Sequence, residues 1–220
     1  MRSVFTYQKI DFLIAVMSLV LITAVFSFHK SPSLEYKIKN IELNNGAIYL
    51  IQRGTTGKLG NVAKDFNIKN KYASHLGIGY LKNNALTIYH VYVDKNSKGN
   101  SLYVETIDNF IRPEDLNYLS IWQLKNIDLQ KFNDIKNTLT QSEKQNINFD
   151  FNFDKGSKAY YCSEYIVDEL QKNGIKIMSY HKKSITGMIK QILKKDTLTY
   201  FPVDGFESTD KATKVFEWIK

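Results

Sequence analysis

The chain carries a single cysteine, Cys162, in 220 residues. No internal disulfide can staple such a fold, and no Cys-rich metal site can organise it. Whatever structure forms must be held by a hydrophobic core. Hydrophobic residues make up 43% of the chain and aromatic residues 13%, enough to build that core and to exclude wholesale disorder. The length suits one domain with a short appendage. The net charge is +8, yet the lysines are scattered rather than striped. That reads as a solvated surface and not as a nucleic-acid groove. Neither zinc-finger spacing nor a phosphate-binding loop occurs.

Arg2 and Lys9 precede an uncharged apolar run from Phe12 to Phe28, 17 residues long. A secretory apolar region takes about 7–15 residues and a spanning helix about 17–25. Residues 1–30 therefore read as a signal peptide, with Val25 and Ser27 before the cut, or as an uncleaved signal anchor. No cysteine lies nearby for a lipid anchor. The leading positive charges favour a cytoplasmic N-terminus and an exported remainder, either periplasmic or held at the membrane through residues 12–28. Outside the cytoplasm an unpaired cysteine is either a buried small hydrophobe or a retained reactive thiol.

Residues 31–43 read as a linker and 44–220 as a mixed α+β domain with a largely antiparallel sheet. Gly46 to Arg53 is β-prone, Gly54 to Gly57 is a turn, and a short helical pattern runs to about Phe66. His75–Leu81 and Leu86–Val93 are strand-like runs around Lys82-Asn83-Asn84-Ala85, a hairpin signal. Leu102–Thr106 and Leu119–Leu124 are further strands, and Ile127–Lys144 is helical. Asn148 to Asp154 alternates, with Phe149, Phe151 and Phe153 on one side and Asn148, Asp150, Asn152 and Asp154 on the other, the pattern of a strand. Tyr161–Lys172 is an amphipathic helix stopped by Asn173-Gly174. Another helical stretch, about Ser184–Lys194, precedes a β-like tail.

Cysteine catalysis needs a deprotonated thiol, an imidazole to carry the proton and a polar group to orient that imidazole. Cys162 falls in the first turn of its helix, where free N–H groups and the helix dipole favour a thiolate. Of the four histidines, His29 and His181 read as linker and exposed loop. His75 and His90 lie on the paired strands. With an even turn centred on Asn83-Asn84, opposed residues sum to 167, so His90 faces Gly77 and His75 faces Tyr92. The two histidines then share a face as diagonal neighbours. Gly77 and Gly79 are expected to leave that face open beside His75. Glu164 either favours the helix dipole or contacts substrate. The Asp150 row either meets a substrate amine or is the solvated side of its strand. No metal site is indicated, since Asp150-x-Asn152-x-Asp154 lacks the later Gly and Glu of a calcium loop.

Ser74-His75-Leu76-Gly77-Ile78 and Tyr161-Cys162-Ser163-Glu164-Tyr165 resemble motifs of the permuted NlpC-like cysteine hydrolases of the YiiX/YaeF/YebB group. Val104-Glu105-Thr106 to Phe110, the opening strand with Gly54, and the Asp/Phe alternation before the cysteine are similar to that group too. The resemblance spans about residues 44–190, and its His-before-Cys order is that of the permuted branch. It implies a circularly permuted papain-like fold with Cys162 as nucleophile, His75 as base and His90 as the third polar residue. The group often has Glu at the position of His90, and usually Asp where Ala47 stands. By analogy the substrate is an amide bond of cell-wall peptides, with Glu164, Asp150 and Tyr161 as substrate contacts and no cofactor. The alternatives are a lipid-directed acyltransferase or esterase of the lecithin:retinol acyltransferase-like branch, and a non-catalytic binding module on the same fold.

Overall fold

The computed structural model describes residues 33–93, 100–153 and 156–220. The N-terminal apolar run, His29 and Asp154 lie outside the described residues. Contacts divide the chain into two units between Ile41 and Glu42. In the first, Leu34–Lys39 forms a short helix, α1, where the sequence reads as linker. Ser33 caps it by accepting the Tyr36 N–H, and Lys37 and Lys39 sit in its last turn, where the helix dipole favours positive charge. Among the described residues no helix is long and apolar enough to cross a membrane.

The second unit is an α+β domain built on a six-stranded antiparallel sheet. Its strands are β1 (Tyr49–Thr55), β2 (His75–Lys82), β3 (Ala85–Val91), β4 (Leu102–Thr106), β5 (Leu116–Leu124) and β8 (Ala212–Ile219). The order across the sheet is β4-β3-β2-β1-β5-β8. Two short strands, β6 (His181–Ser184) and β7 (Thr197–Tyr200), pair separately. His181 is thus on a strand rather than in a loop, exposed and edge-on to Tyr200. Two short helices, α2 (Lys58–Lys64) and α3 (Ile107–Phe110), follow β1 and β4.

The β2–β3 hairpin sets the geometry of the site. Asn83 and Asn84 both adopt positive φ, 53° and 62°, as a tight two-residue hairpin turn demands and as asparagine tolerates. The pairs run from Lys82–Ala85 to Ile78–Tyr89, each summing to 167, the register that the sequence implies. On one side β1 pairs Arg53 with His75. On the other β4 pairs Tyr103 with His90 and Glu105 with Ile88. Side chains two apart on a strand, or directly opposed across it, share a face. Arg53, His75, His90, Tyr103 and Glu105 therefore project to the same side.

The opposite face is the main core. Leu50, Leu76, Ile78, Tyr80, Tyr89 and Val91 pack there against two helices. One is α4 (Leu129–Ser142), through Phe132, Ile135 and Leu139. The other is α5 (Cys162–Lys172), through Tyr165, Ile166 and Leu170. Asp128 caps α4 by accepting the Lys131 N–H at 2.7 Å. Gly174, at φ +74°, closes α5: its N–H reaches Gln171 O and that of Ile175 reaches Leu170 O, the paired bonds of a left-handed helix stop.

Asn148–Phe153 is not a regular strand. Its pairing is a single bridge between Phe149 and Tyr160. The chain then turns, because the Asp150 carboxylate accepts the Asn152 N–H at 2.8 Å and the Ser157 hydroxyl at 3.3 Å. That local bonding competes with a sheet ladder and swaps the expected sides of Asp150 and Phe151, while Asn148 and Asn152 are exposed and Phe149 and Phe153 pack against the core as the alternation implies. Asp150 is only 5% exposed while Phe151 is 65% exposed.

Candidate active site

Cys162 is the first residue of α5, with Tyr161 as an extended N-cap. The residues on either side of it grip the same segment. The Tyr161 hydroxyl accepts the Phe201 N–H at 2.8 Å, and the Ser163 hydroxyl donates to Phe201 O at 2.6 Å. The helix start is thereby fixed against the chain that follows β7.

The sulfur meets the sheet where β2 and β3 part. Their ladder stops at Ile78–Tyr89, so Leu76 has no paired partner on β3. Its N–H donates to the Cys162 sulfur instead, and the Ser163 N–H donates as well. These donors and the Arg53 charge favour a thiolate, but burial outweighs them and pushes the Cys162 thiol up. The helix start alone predicts the opposite direction. The resting group is a thiol.

His75 opens β2, one residue before the amide that holds the sulfur. Its Nε2 lies 2.8 Å from His90 Nδ1, and His90 Nε2 lies 2.9 Å from Glu105 Oε1. The chain of bonds assigns the tautomers. A carboxylate only accepts, so His90 carries its proton on Nε2 and accepts at Nδ1. His75 must then donate from Nε2, which leaves its Nδ1 lone pair free. Burial depresses the basicity of both rings, that of His75 well below the usual imidazole range; the Arg53 charge and the neighbouring His90 push His75 further the same way. For His90 the bond to Glu105 works against burial. Both rings are neutral at pH 7. No hydrogen bond joins His75 to Cys162; the sulfur touches the next peptide along.

Aromatic side chains wall the histidines in. Tyr92 lies 5.4 Å from His75, and Phe110 and Tyr103 lie 5.1 and 5.7 Å from His90, ring centre to ring centre. The glycine face is filled, contrary to expectation. A Cβ on Gly77 would come within 2.5 Å of Ile88 Cγ2 and 3.4 Å of Phe110, and one on Gly79 within 2.2 Å of Thr87 O. The glycines let β3 and Phe110 approach and leave no opening.

Among solved structures the chain is similar to metalloprotein YiiX from Escherichia coli O157:H7, a DUF1105 protein, with a TM-score of 0.61. The two share 11% identity over 81% of this chain and 100% of that one. The likeness is one of fold. No family model matches the chain, and no curated protein matches it in sequence. As for the metal in the YiiX description, no group of three or more His, Cys, Asp or Glu residues among the described residues converges to hold an ion. His75, His90 and Glu105 spend their facing atoms on one another, so the residues do not fit a metal and no step below runs through one.

The three expected substrate contacts sit inside the domain. Tyr161 is buried and bonded to Phe201. Asp150 holds the turn already described. Glu164 is 7% exposed, accepts the Tyr161 and Gly156 N–H groups, and has no partner for its other oxygen, Oε2. Two residues of the site escape sequence reasoning. Glu105 lies in the expected short strand Leu102–Thr106, but the connection after Val91 is long, so no turn rule gives its register against His90. Arg53 reads only as the end of an apolar strand, yet it stands beside His75 and contributes the buried charge of the site.

Proposed function

We propose that the chain is an exported cysteine hydrolase with a circularly permuted papain-like fold, cleaving an amide bond in cell-wall peptides. The observation that carries this reading is the junction of two arrangements at one peptide. The Cys162 sulfur takes the Leu76 N–H, and the preceding residue, His75, begins a hydrogen-bonded line to His90 and Glu105. Apo catalytic contacts often tighten only around substrate, so the missing Cys162–His75 bond is compatible with the assignment.

In this reading His75 Nδ1 takes the thiol proton as the sulfur attacks the amide carbon, and the Cys162 N–H steadies the developing oxyanion. The carbon–nitrogen bond breaks as His75 returns the proton to the departing amine. A water, deprotonated by the same nitrogen, then hydrolyses the thioester to acid and free thiol. His90 and Glu105 hold the His75 tautomer and spread the positive charge it gains. Because the thiol is not pre-ionised, proton transfer accompanies attack.

His90 at the position often held by Glu supports a second reading, a lipid-directed acyltransferase or esterase. One experiment separates the readings. The protein is incubated with muropeptides and, separately, with phospholipid vesicles, and products are sought by mass spectrometry. Peptide cleavage that vanishes in Cys162→Ala is the expected result. Lipid deacylation would move the assignment to the second reading. Cleavage unaffected by Cys162→Ala, or no turnover of either class, would sink the nucleophile.

A further inference from the structure

Arg53 presents an unusual balance of charge. It is 5% exposed, and its guanidinium makes one hydrogen bond, from Nη1 to the Phe110 carbonyl at 2.7 Å. The rings of Tyr92 and Phe110 pack against it, 5.0 and 4.5 Å from Cζ. Among the described residues no carboxylate stands within ion-pair distance. Buried guanidinium groups are ordinarily paired, because an isolated charge out of water is costly. A carbonyl and two rings offset only part of that cost. The group also has five N–H donors in a planar fork.

The unused donors have somewhere to point. Arg53 lines a cavity of about 380 Å³ together with His90, Tyr92, Tyr103, Asn109 and Arg112. Glu105 and Glu114 stand in the same wall. Glu105 is bonded to His90; its charge and that of Asp115 act on Arg53 only from beyond ion-pair distance, and burial outweighs them. Through Arg53 and His90 the cavity borders the His75–His90–Glu105 line directly.

The geometry points to this cavity as an anion subsite, in which Arg53 grips a carboxylate of the substrate through its free edge while Arg112, Asn109 and the tyrosines close around it. A planar carboxylate matches the fork in a way that a point charge does not. The two glutamates in the wall favour a singly charged group over a doubly charged phosphate, which they would repel more strongly. For the hydrolase proposed above, the substrate would be a peptide with a free carboxylate near the cleaved bond. The inference rests on that reading only in naming the ligand a substrate; carboxylate binding is measured without turnover.

The test uses the full-length protein labelled with nitrogen-15. Its three arginines are Arg2, Arg53 and Arg112, so the arginine Nε signals are few enough to follow one by one. N-acetylglycine is titrated as the carboxylate probe, N-acetylglycinamide as its neutral match, and inorganic phosphate as the competing anion. The expected result is a saturable shift of the Arg53 signal with N-acetylglycine, none with the amide, and weaker binding of phosphate. Arg53→Lys should weaken N-acetylglycine at least tenfold while keeping the charge and, by thermal unfolding, the fold. Cys162→Ala should bind unchanged. An unmoved Arg53 signal in the wild-type protein overturns the proposal, and that result needs no variant to fold. Phosphate binding as tightly as the carboxylate, or full affinity in Arg53→Lys, overturns it too. Carboxylate binding without turnover of any substrate would leave the subsite standing and remove the hydrolase reading instead.

Discussion

Replacing Glu164 by Gln should make the domain's stability less sensitive to pH. The carboxyl of Glu164 is buried at the start of α5, and its pKa is pushed up from 4.5 to about 7. Burial is the main cause, and the charges of Asp150 and Asp168 add to it. The Tyr161 and Gly156 N–H groups oppose this rise without cancelling it. The unfolded chain ionises this group near 4.5, the folded chain near 7, so the folded state holds the proton more tightly. The group's stabilising contribution is therefore complete below pH 4.5 and is lost as pH rises to about 7. Each tenfold difference in proton affinity between the two states is worth about 1.4 kcal/mol, giving a ceiling of about 3 kcal/mol over the window. Water reaching the site on ionisation would lower this to about 2 kcal/mol. Gln keeps an acceptor for the two N–H groups and places a donor where Oε2 has no partner, beside Asp150. Urea unfolding of both proteins at half-unit steps from pH 4.5 to 8.5 measures the difference. Glu169 and Glu207, also pushed up by burial, change with pH in the same direction in both proteins and cancel. So do His75 and His90, which are pushed down and act in the opposite sense. The stability difference should grow in favour of Glu164→Gln by about 2–3 kcal/mol between pH 5 and 8. A difference constant to within about 0.5 kcal/mol across that range would refute the reasoning.

Glu105→Gln keeps an acceptor for His90 but removes the charge, so turnover should fall about 10²-fold, the low end of what general acid–base catalysis contributes. Imidazole nitrogen-15 shifts should report loss of the single His90 tautomer in the same variant, and an unchanged tautomer would contradict a positioning role. Alkylation of Cys162 by iodoacetamide in the resting protein should keep accelerating above pH 9, since burial holds the thiol form; a rate that levels off near pH 7 would show a preformed thiolate. Gly77→Ala should cost about 1–3 kcal/mol, because its Cβ meets Ile88 at 2.5 Å in a filled core. Urea unfolding checks this, and a cost under about 0.5 kcal/mol would show that Ile88 and Phe110 yield freely.

Local rules carried the sequence reading wherever the chain's own neighbours decide the outcome. The Asn83-Asn84 turn fixes a two-residue loop, and with it the register that brings His75 and His90 to one face. Asn173-Gly174 ends α5 for equally local reasons, and Cys162 at the helix start follows from the same periodicity. The readings that changed depend on partners far along the chain. Gly77 looks open in sequence, but Ile88 from β3 and Phe110 from α3 fill the space. The alternating Asp/Phe stretch has the period of a strand, yet Asp150 bonds to Asn152 and turns the chain. Glu105 reaches His90 only through the β3–β4 pairing. Helix-start logic for Cys162 is sound in direction, and it loses to a desolvation that no sequence pattern displays.

That desolvation also bears on why the line of bonds extends to Glu105. A preformed thiolate–imidazolium pair needs a site wet or charged enough to hold both ions. Here desolvation raises the half-buried Cys162 thiol, both rings are depressed by burial, and the nearby fixed charge, Arg53, opposes a second cation on His75. A proton moved from Cys162 to His75 would create that cation. His90 can stabilise it by accepting from His75 Nε2, and Glu105 can stabilise His90 in turn through its Nε2–H. The carboxylate therefore offsets, two bonds away, the positive charge that Arg53 resists. An anionic group seated on Arg53 would act in the same direction, because it cancels the charge that most disfavours His75⁺. Occupancy of the cavity and basicity of His75 are thus coupled. With N-acetylglycine bound, the His75 ring should titrate at higher pH than in the free protein, and in Arg53→Lys the same addition should move it less. Imidazole nitrogen-15 titration measures both. A His75 titration that ignores the carboxylate would show that the cavity and the line of bonds are electrostatically separate.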